Sequence, residues 1–212
     1  MCGVFGYAGR GPADPGLLKA AIQGAAARGP HGHGWAWRDG DQYQVQHRLG
    51  SWNGDLDTAA GCTAPLVVGH ARLAAIGASY DDPEGLQPVH ADGHLVAVNG
   101  NAYNLPARPT DSHAFAWWYA SQRDLGLDPG AALAAALHDS GMPAWAVIVA
   151  DRDGTLACSR HNLSLWLHQC PQGGVYLSSR SFVSAPGCHQ PADAAVLAFL
   201  PSGACEVREA AA

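Results

Sequence analysis

Met1-Cys2-Gly3-Val4-Phe5-Gly6-Tyr7-Ala8 opens the chain. Its alternation of β-branched and aromatic residues with small ones reads as a strand over residues 2–8, beginning almost at the N-terminus. Working outward, the same pattern recurs at 33–38, 43–48, 66–71 and 94–99, then in a second run at 145–151, 156–161, 165–169, 175–179 and 194–200. Helical patterning covers 15–27, with Pro15 at the start and Gly29 just past the end. It recurs at 111–123, where Thr110 and Asp111 are capping candidates, and at 129–138, closed by Gly141. Two runs of strands with helices between them predict an α+β protein with mostly antiparallel sheets, not an alternating βαβ fold. Residues 76–88 and 104–109 read as irregular, the second following Asn99-Gly100, a dipeptide that by itself signals a hairpin turn. Loops of this kind carry function when a scaffold positions them.

The length of 212 residues suits one domain, 1–212, and leaves no room for a second catalytic domain of ordinary size. Twelve basic against eighteen acidic residues give a net charge of −6, so the basic footprint of a nucleic-acid partner is not expected. No apolar run approaches the roughly 20 residues of a membrane span, and no charged leader precedes an apolar segment, which argues against a membrane partner and against export. Six cysteines without a C-x-x-C favour a reducing cytoplasm over a disulfide framework. His31-Gly32-His33 invites a metal reading, but no H-x-x-x-H supports it, and no metal or other cofactor is expected.

Position makes Cys2 the first chemical candidate. A small second residue permits removal of the initiator Met, after which Cys2 carries both a thiol and a free α-amino group. An α-amine titrates near 7.7–8.0, so a useful fraction is neutral at physiological pH and able to take the thiol proton. Taken alone, Cys2 reads better as a small apolar residue of the first strand than as a nucleophile.

The wider pattern changes that balance. Met1-Cys2-Gly3-Val4-Phe5-Gly6 resembles the start of the class II glutamine amidotransferases, an N-terminal-nucleophile family whose glutaminase domains begin Cys-Gly-Ile/Val. Four further stretches agree in order. Arg28-Gly29-Pro30-His31-Gly32 is similar to the family's Arg-Gly-Pro-Asp-Gly, and Gly69-His70-Ala71-Arg72-Leu73-Ala74 to its Gly-His-Thr-Arg-Trp-Ala. Val98-Asn99-Gly100-Asn101-Ala102-Tyr103-Asn104 is similar to its Asn-Gly-Glu-Ile-Tyr-Asn, and Thr110-Asp111-Ser112 to its Ser-Asp-Ser-Glu. The matching stretches lie within residues 2–112; the second half agrees only in being rich in strands.

The resemblance implies a four-layer αββα sandwich and hydrolysis of the glutamine side-chain amide through a Cys2 thioester, with no cofactor. It implies Asn99 and Gly100 as oxyanion-hole donors. It also implies Arg72, Ile76, Asn101 and Asp111 as the substrate-binding set, Arg72 on the glutamine α-carboxylate and Asp111 on the α-ammonium. The chain departs from the pattern at Asn101, where many members carry Glu, at His31 for Asp and at His113 for Glu. With no synthase domain in view, the implied partner is a separate enzyme that accepts ammonia. Two alternatives are an N-terminal-nucleophile hydrolase acting on another amide, and a non-catalytic regulatory module of the same fold.

Overall fold

A computed structural model describes residues 1–74, 79–106, 108–171, 173–184 and 187–209. Helix α1 (Pro15–Ala26) starts where the side chain of Asp14 accepts a hydrogen bond from the Leu17 N–H at 2.9 Å, and Pro15 stands in its first turn. Strand β1 (Gly3–Ala8) runs beneath it. A Cβ on Gly3 would lie 2.1 Å from the Ala25 carbonyl oxygen, so only glycine lets α1 pack this closely on the strand that follows Cys2.

Further strands are β2 (Gly32–Asp39), β3 (Gln42–Leu49), β4 (Leu66–Arg72), β5 (Val89–Ala91) and β6 (His94–Gly100). Then come β7 (Trp145–Ala150), β8 (Leu156–His161), β9 (Trp166–Gln169), β10 (Val175–Ser178), β11 (Cys188–His189), β12 (Ala195–Phe199) and β13 (Cys205–Glu209). The other helices are α2 (Leu56–Ala60), α3 (Asp111–Asp124) and α4 (Pro129–Ser140). One seven-stranded sheet has the order β11-β9-β10-β1-β4-β2-β3, and a six-stranded sheet the order β13-β12-β8-β7-β6-β5. Every ladder pairing in both is antiparallel.

Side-chain alternation then dictates the layers. On β1, Val4 and Ala8 join Val68, Leu95, Ala97 and Ile148 in a core between the two sheets. The alternate residues, Phe5 and Tyr7, pack with Leu18, Ile22 and Trp35 under α1 and α2. Val96, Val98, Val147 and Val149 of the second sheet pack against Phe115, Tyr119 and Leu133 of α3 and α4. The result is the expected αββα sandwich.

The short elements β5, β11, β13 and α2 escape a sequence reading. Two or three residues hold no periodicity, and β13 intersperses Cys205 and Val207 with Glu206, Arg208 and Glu209 as an outer strand. Asn99 and Gly100 are not a hairpin turn: both lie within β6, at non-positive φ, and the partner strand β7 arrives only after α3 and α4. Tertiary pairing overrides the dipeptide's local preference.

At the end of the sandwich far from β6's Asn99, α3 is tied to the sheet through Asp151, which is fully buried just past β7. Its carboxylate accepts from Tyr119 Oη at 2.6 Å and from Arg123 Nε and Nη2 at 2.7 and 3.2 Å, with His94 Nδ1 at 3.2 Å. Burial alone raises its pKa, but His94, Arg123 and Tyr119 outweigh it and hold the carboxyl well below the usual range. The unfolded chain, titrating near 3.9, therefore takes up the proton first as pH falls. The stabilisation is complete above about pH 5 and disappears as pH drops through the lower native value. Asp151→Asn is expected to cost about 3 kcal/mol at pH 7, since it leaves the Arg123 guanidinium with only the partly exposed Asp153 carboxylate at 3.4 Å as counter-charge. Urea unfolding at pH 7 and pH 3 checks this: the gap between variant and parent narrows at the lower pH.

Candidate active site

Antiparallel pairing sets Gly3 of β1 against Ala71 of β4, which brings Cys2 to the end of β4 at Arg72. On the facing sheet, Asn99 continues the inward row of Leu95 and Ala97 along β6. Cys2 and Asn99 therefore meet at one mouth of the space between the sheets. They line a single cleft of about 410 Å³, together with Leu73, Ala74, Gly100, Asn101 and Tyr103.

The Cys2 thiol is anchored by one residue of the opposite chain segment. Its Sγ accepts from the Leu73 N–H at 3.3 Å and donates to the Leu73 carbonyl at 3.5 Å. Burial pushes the thiol pKa up; the Leu73 backbone, the N-terminus and Arg72 oppose this in part, and Asp111 adds to it. At neutral pH the thiol is protonated and needs a base to become a nucleophile.

Asn99 is 4% exposed, and its Nδ2 has no hydrogen-bond partner among the described residues. A buried amide donor left unmade costs about 1–3 kcal/mol, and this one is free to donate to an acceptor that enters the cleft. Gly100 follows where no side chain fits: a Cβ there would stand 2.9 Å from both the Ala144 carbonyl oxygen and the Met142 sulfur.

The substrate-binding candidates are distributed differently. Asn101 is exposed at the cleft wall. Arg72 is 6% exposed and turned toward the chain segment after it, donating to the carbonyls of Ser79 and Asp82 at 3.0 Å each and of Tyr80 at 3.5 Å. Gly85 packs on this guanidinium so closely that a Cβ would come within 2.5 Å. The Tyr80 ring meets His31 at 4.4 Å, and His31 Nδ1 accepts from the Ala74 N–H at 3.0 Å. Asp111 is not the cap of α3: Thr110 fills that place, accepting from the His113 N–H at 3.3 Å. The Asp111 carboxylate instead accepts from Ser112 N at 2.8 Å and Ala102 N at 3.3 Å, tying the segment after Asn101 to the start of the helix. Neither Arg72 nor Asp111 lines the cleft, although the charge of each is felt at Cys2. Ile76 lies outside the described residues.

Two residues of this region are not among the sequence-derived site candidates. Gln87, buried, accepts from Val98 N at 2.7 Å and donates to Ser112 Oγ at 2.8 Å, so it fixes β6 just before Asn99 to α3 just after Asp111. His70, on the inward face of β4, is held at about pKa 3 by burial, with Arg72 and His47 adding to the effect, and is neutral.

No protein-family model and no curated protein matches the chain. Solved structures do. The glutamine phosphoribosylpyrophosphate amidotransferase of Bacillus subtilis superposes with a TM-score of 0.77 at 18% identity, over 99% of this chain and 49% of that one. The chain has the fold of a class II glutamine amidotransferase domain. It spans about half the length of the Bacillus enzyme. A glutamine aminotransferase class-II domain protein from Silicibacter pomeroyi matches over the full length of both chains, with a TM-score of 0.67 at 16% identity. A predicted glutamine amidotransferase from Pseudomonas aeruginosa gives 0.65 at 14%, over 95% of this chain and 98% of that one. At these identities the likeness establishes the sandwich fold. Among the described residues, no helix is long and apolar enough to cross a membrane.

Proposed function

We propose that residues 1–212 form one glutaminase domain that hydrolyses the side-chain amide of glutamine with Cys2 as N-terminal nucleophile. The observation that carries this reading is the pairing, in one cleft, of a half-buried thiol with the buried Nδ2 of Asn99, which has no partner among the described residues. Removal of Met1 frees the Cys2 α-amine, which takes the Sγ proton as sulfur attacks the amide carbon. Negative charge developing on the carbonyl oxygen is met by Asn99 Nδ2 and the Gly100 N–H. The tetrahedral species collapses, the α-ammonium protonates the leaving nitrogen, and ammonia departs from a thioester. Water, deprotonated by the same amine, then releases glutamate and restores the thiol.

The α-carboxylate of glutamine is assigned to Arg72, where it replaces the carbonyls of Ser79 and Asp82 as acceptor. The α-ammonium is assigned to Asp111, with Asn101 at the rim, and Ile76 is kept as a substrate-binding candidate. A separate enzyme that docks at the mouth and takes up ammonia completes the reading, since ammonia is mostly protonated at neutral pH and then no longer nucleophilic. One observation favours a second reading, hydrolysis of a different amide: the Arg72 fork is already satisfied by backbone carbonyls.

Met1 processing tests the proposal. Intact mass sorts preparations that keep Met1 from those that lack it, and only the latter are expected to release ammonia from glutamine. Equal turnover by protein that retains Met1 overturns the free-amine mechanism. Release of ammonia from other amides but not from glutamine transfers the assignment to the second reading.

A further inference from the structure

A second cleft, of about 480 Å³, lies on the other side of Met1. Besides Met1, which is absent once the N-terminus is processed, and Ser179, its walls are Arg28, Arg180, Ser164, Ser181 and Trp166. The strand pairing that brings them together is the one that carries Cys2: Ser178 of β10 is set against Phe5 of β1 on one side and Trp166 of β9 on the other. Arg28 follows the end of α1, Arg180 follows β10, and Ser164 precedes β9.

The donor set is unbalanced. Arg28 gives one N–H to the Ser179 carbonyl, at 3.2 Å, and among the described residues its guanidinium makes no other hydrogen bond. Among the described residues neither Arg28 nor Arg180 has a carboxylate within salt-bridge distance, although the chain carries an acidic excess overall. Burial, and then the nearby Arg180, hold Arg28 below the ordinary arginine value, while the Cys2 thiolate acts in the opposite sense. Arg28 therefore stands within electrostatic reach of both Arg180 and the nucleophile. The dipole of α1 favours a cation at its C-terminal end, which accounts for Arg28. It does not account for a second guanidinium brought in from β10.

We propose that this cleft binds the phosphate of a small phosphomonoester, its oxygens on the Arg28 and Arg180 guanidinium groups and the Ser164 and Ser181 hydroxyls, its organic part against the Trp166 ring. Two cations and two hydroxyl donors with no competing carboxylate match a multiply charged, multi-oxygen group better than a monovalent carboxylate.

Calorimetric titration of the full chain with inorganic phosphate, phenyl phosphate and benzoate tests the site without relying on turnover. Phenyl phosphate is expected to bind more tightly than phosphate, and benzoate far more weakly than either. Arg180→Gln, a change at an exposed position outside the Cys2 cleft, should weaken phenyl phosphate binding about tenfold or more, as for loss of one charge-assisted contact. In the absence of phosphate it should leave the unfolding midpoint and the basal rate unchanged. Unaltered phenyl phosphate affinity in Arg180→Gln, benzoate binding as tight as phenyl phosphate, or no saturable binding by any probe overturns the proposal. None of these outcomes bears on whether Cys2 hydrolyses glutamine.

Discussion

Cys2→Ala is expected to release no measurable ammonia from glutamine while remaining folded. Among the described residues that line the cleft, the thiol is the strongest nucleophile. Without it the amine of residue 2, Asn99 and Gly100 have no attacking atom to assist. The structural cost is small. Sγ makes only long contacts with Leu73, at 3.3 and 3.5 Å, at a half-buried position just before β1. Loss of one heavy atom at such a place lowers stability by about 1 kcal/mol or less. Ammonia release at saturating glutamine and the urea midpoint, measured on the same preparation, separate the two effects. Turnover at the parent rate removes Cys2 from the nucleophile role. A collapsed midpoint makes Cys2→Ser, which keeps the volume and lacks the acidity of a thiol, the variant that decides.

The parts of this site legible in the sequence are those fixed by strand periodicity. Val4, Val68 and Ala97 alternate cleanly enough to place β1, β4 and β6, and the ends of those strands deliver Cys2 and Asn99 to one mouth, with Arg72 at the end of β4 but outside the cleft lining. What alternation does not carry is the partner a polar side chain chooses. Arg72 arrives on the expected face, yet its fork closes on the carbonyls of Ser79 and Asp82, an interaction set by how residues 79–85 fold back and not by any residue type. Asp111 and Thr110 were equivalent as caps on paper, and the backbone of Thr110, extended at φ −136°, settles the matter because the cap must lie outside helical dihedrals. The Asn99-Gly100 pair misleads for the opposite reason. Its local preference is strong, and ladder pairing with Ala146 and Trp145 prevails over it. Gln87 is invisible because a glutamine in an irregular segment looks like any other until Val98 and Ser112 are brought to its two ends.

Asn99→Ala is expected to lower kcat for glutamine by about 10²–10³ with little change in KM, the signature of a donor whose contact strengthens as charge builds on the carbonyl oxygen. The stability readout sharpens the assignment. A structural asparagine makes hydrogen bonds within the fold, and its removal strands a partner; Asn99 Nδ2 has none among the described residues, so its truncation strands nothing. The unfolding midpoint should therefore fall only by the small cost of lost packing. At pH 7, Asn99→Asp provides the second arm: it keeps the shape, replaces the donor by an anion facing the developing oxyanion, and should be at least as slow as the alanine variant. An effect confined to KM in both variants makes Asn99 a binding residue. A loss of several kcal/mol in stability with kcat preserved makes it a structural one, and either result leaves the cleft without the oxyanion hole on which the glutaminase reading depends.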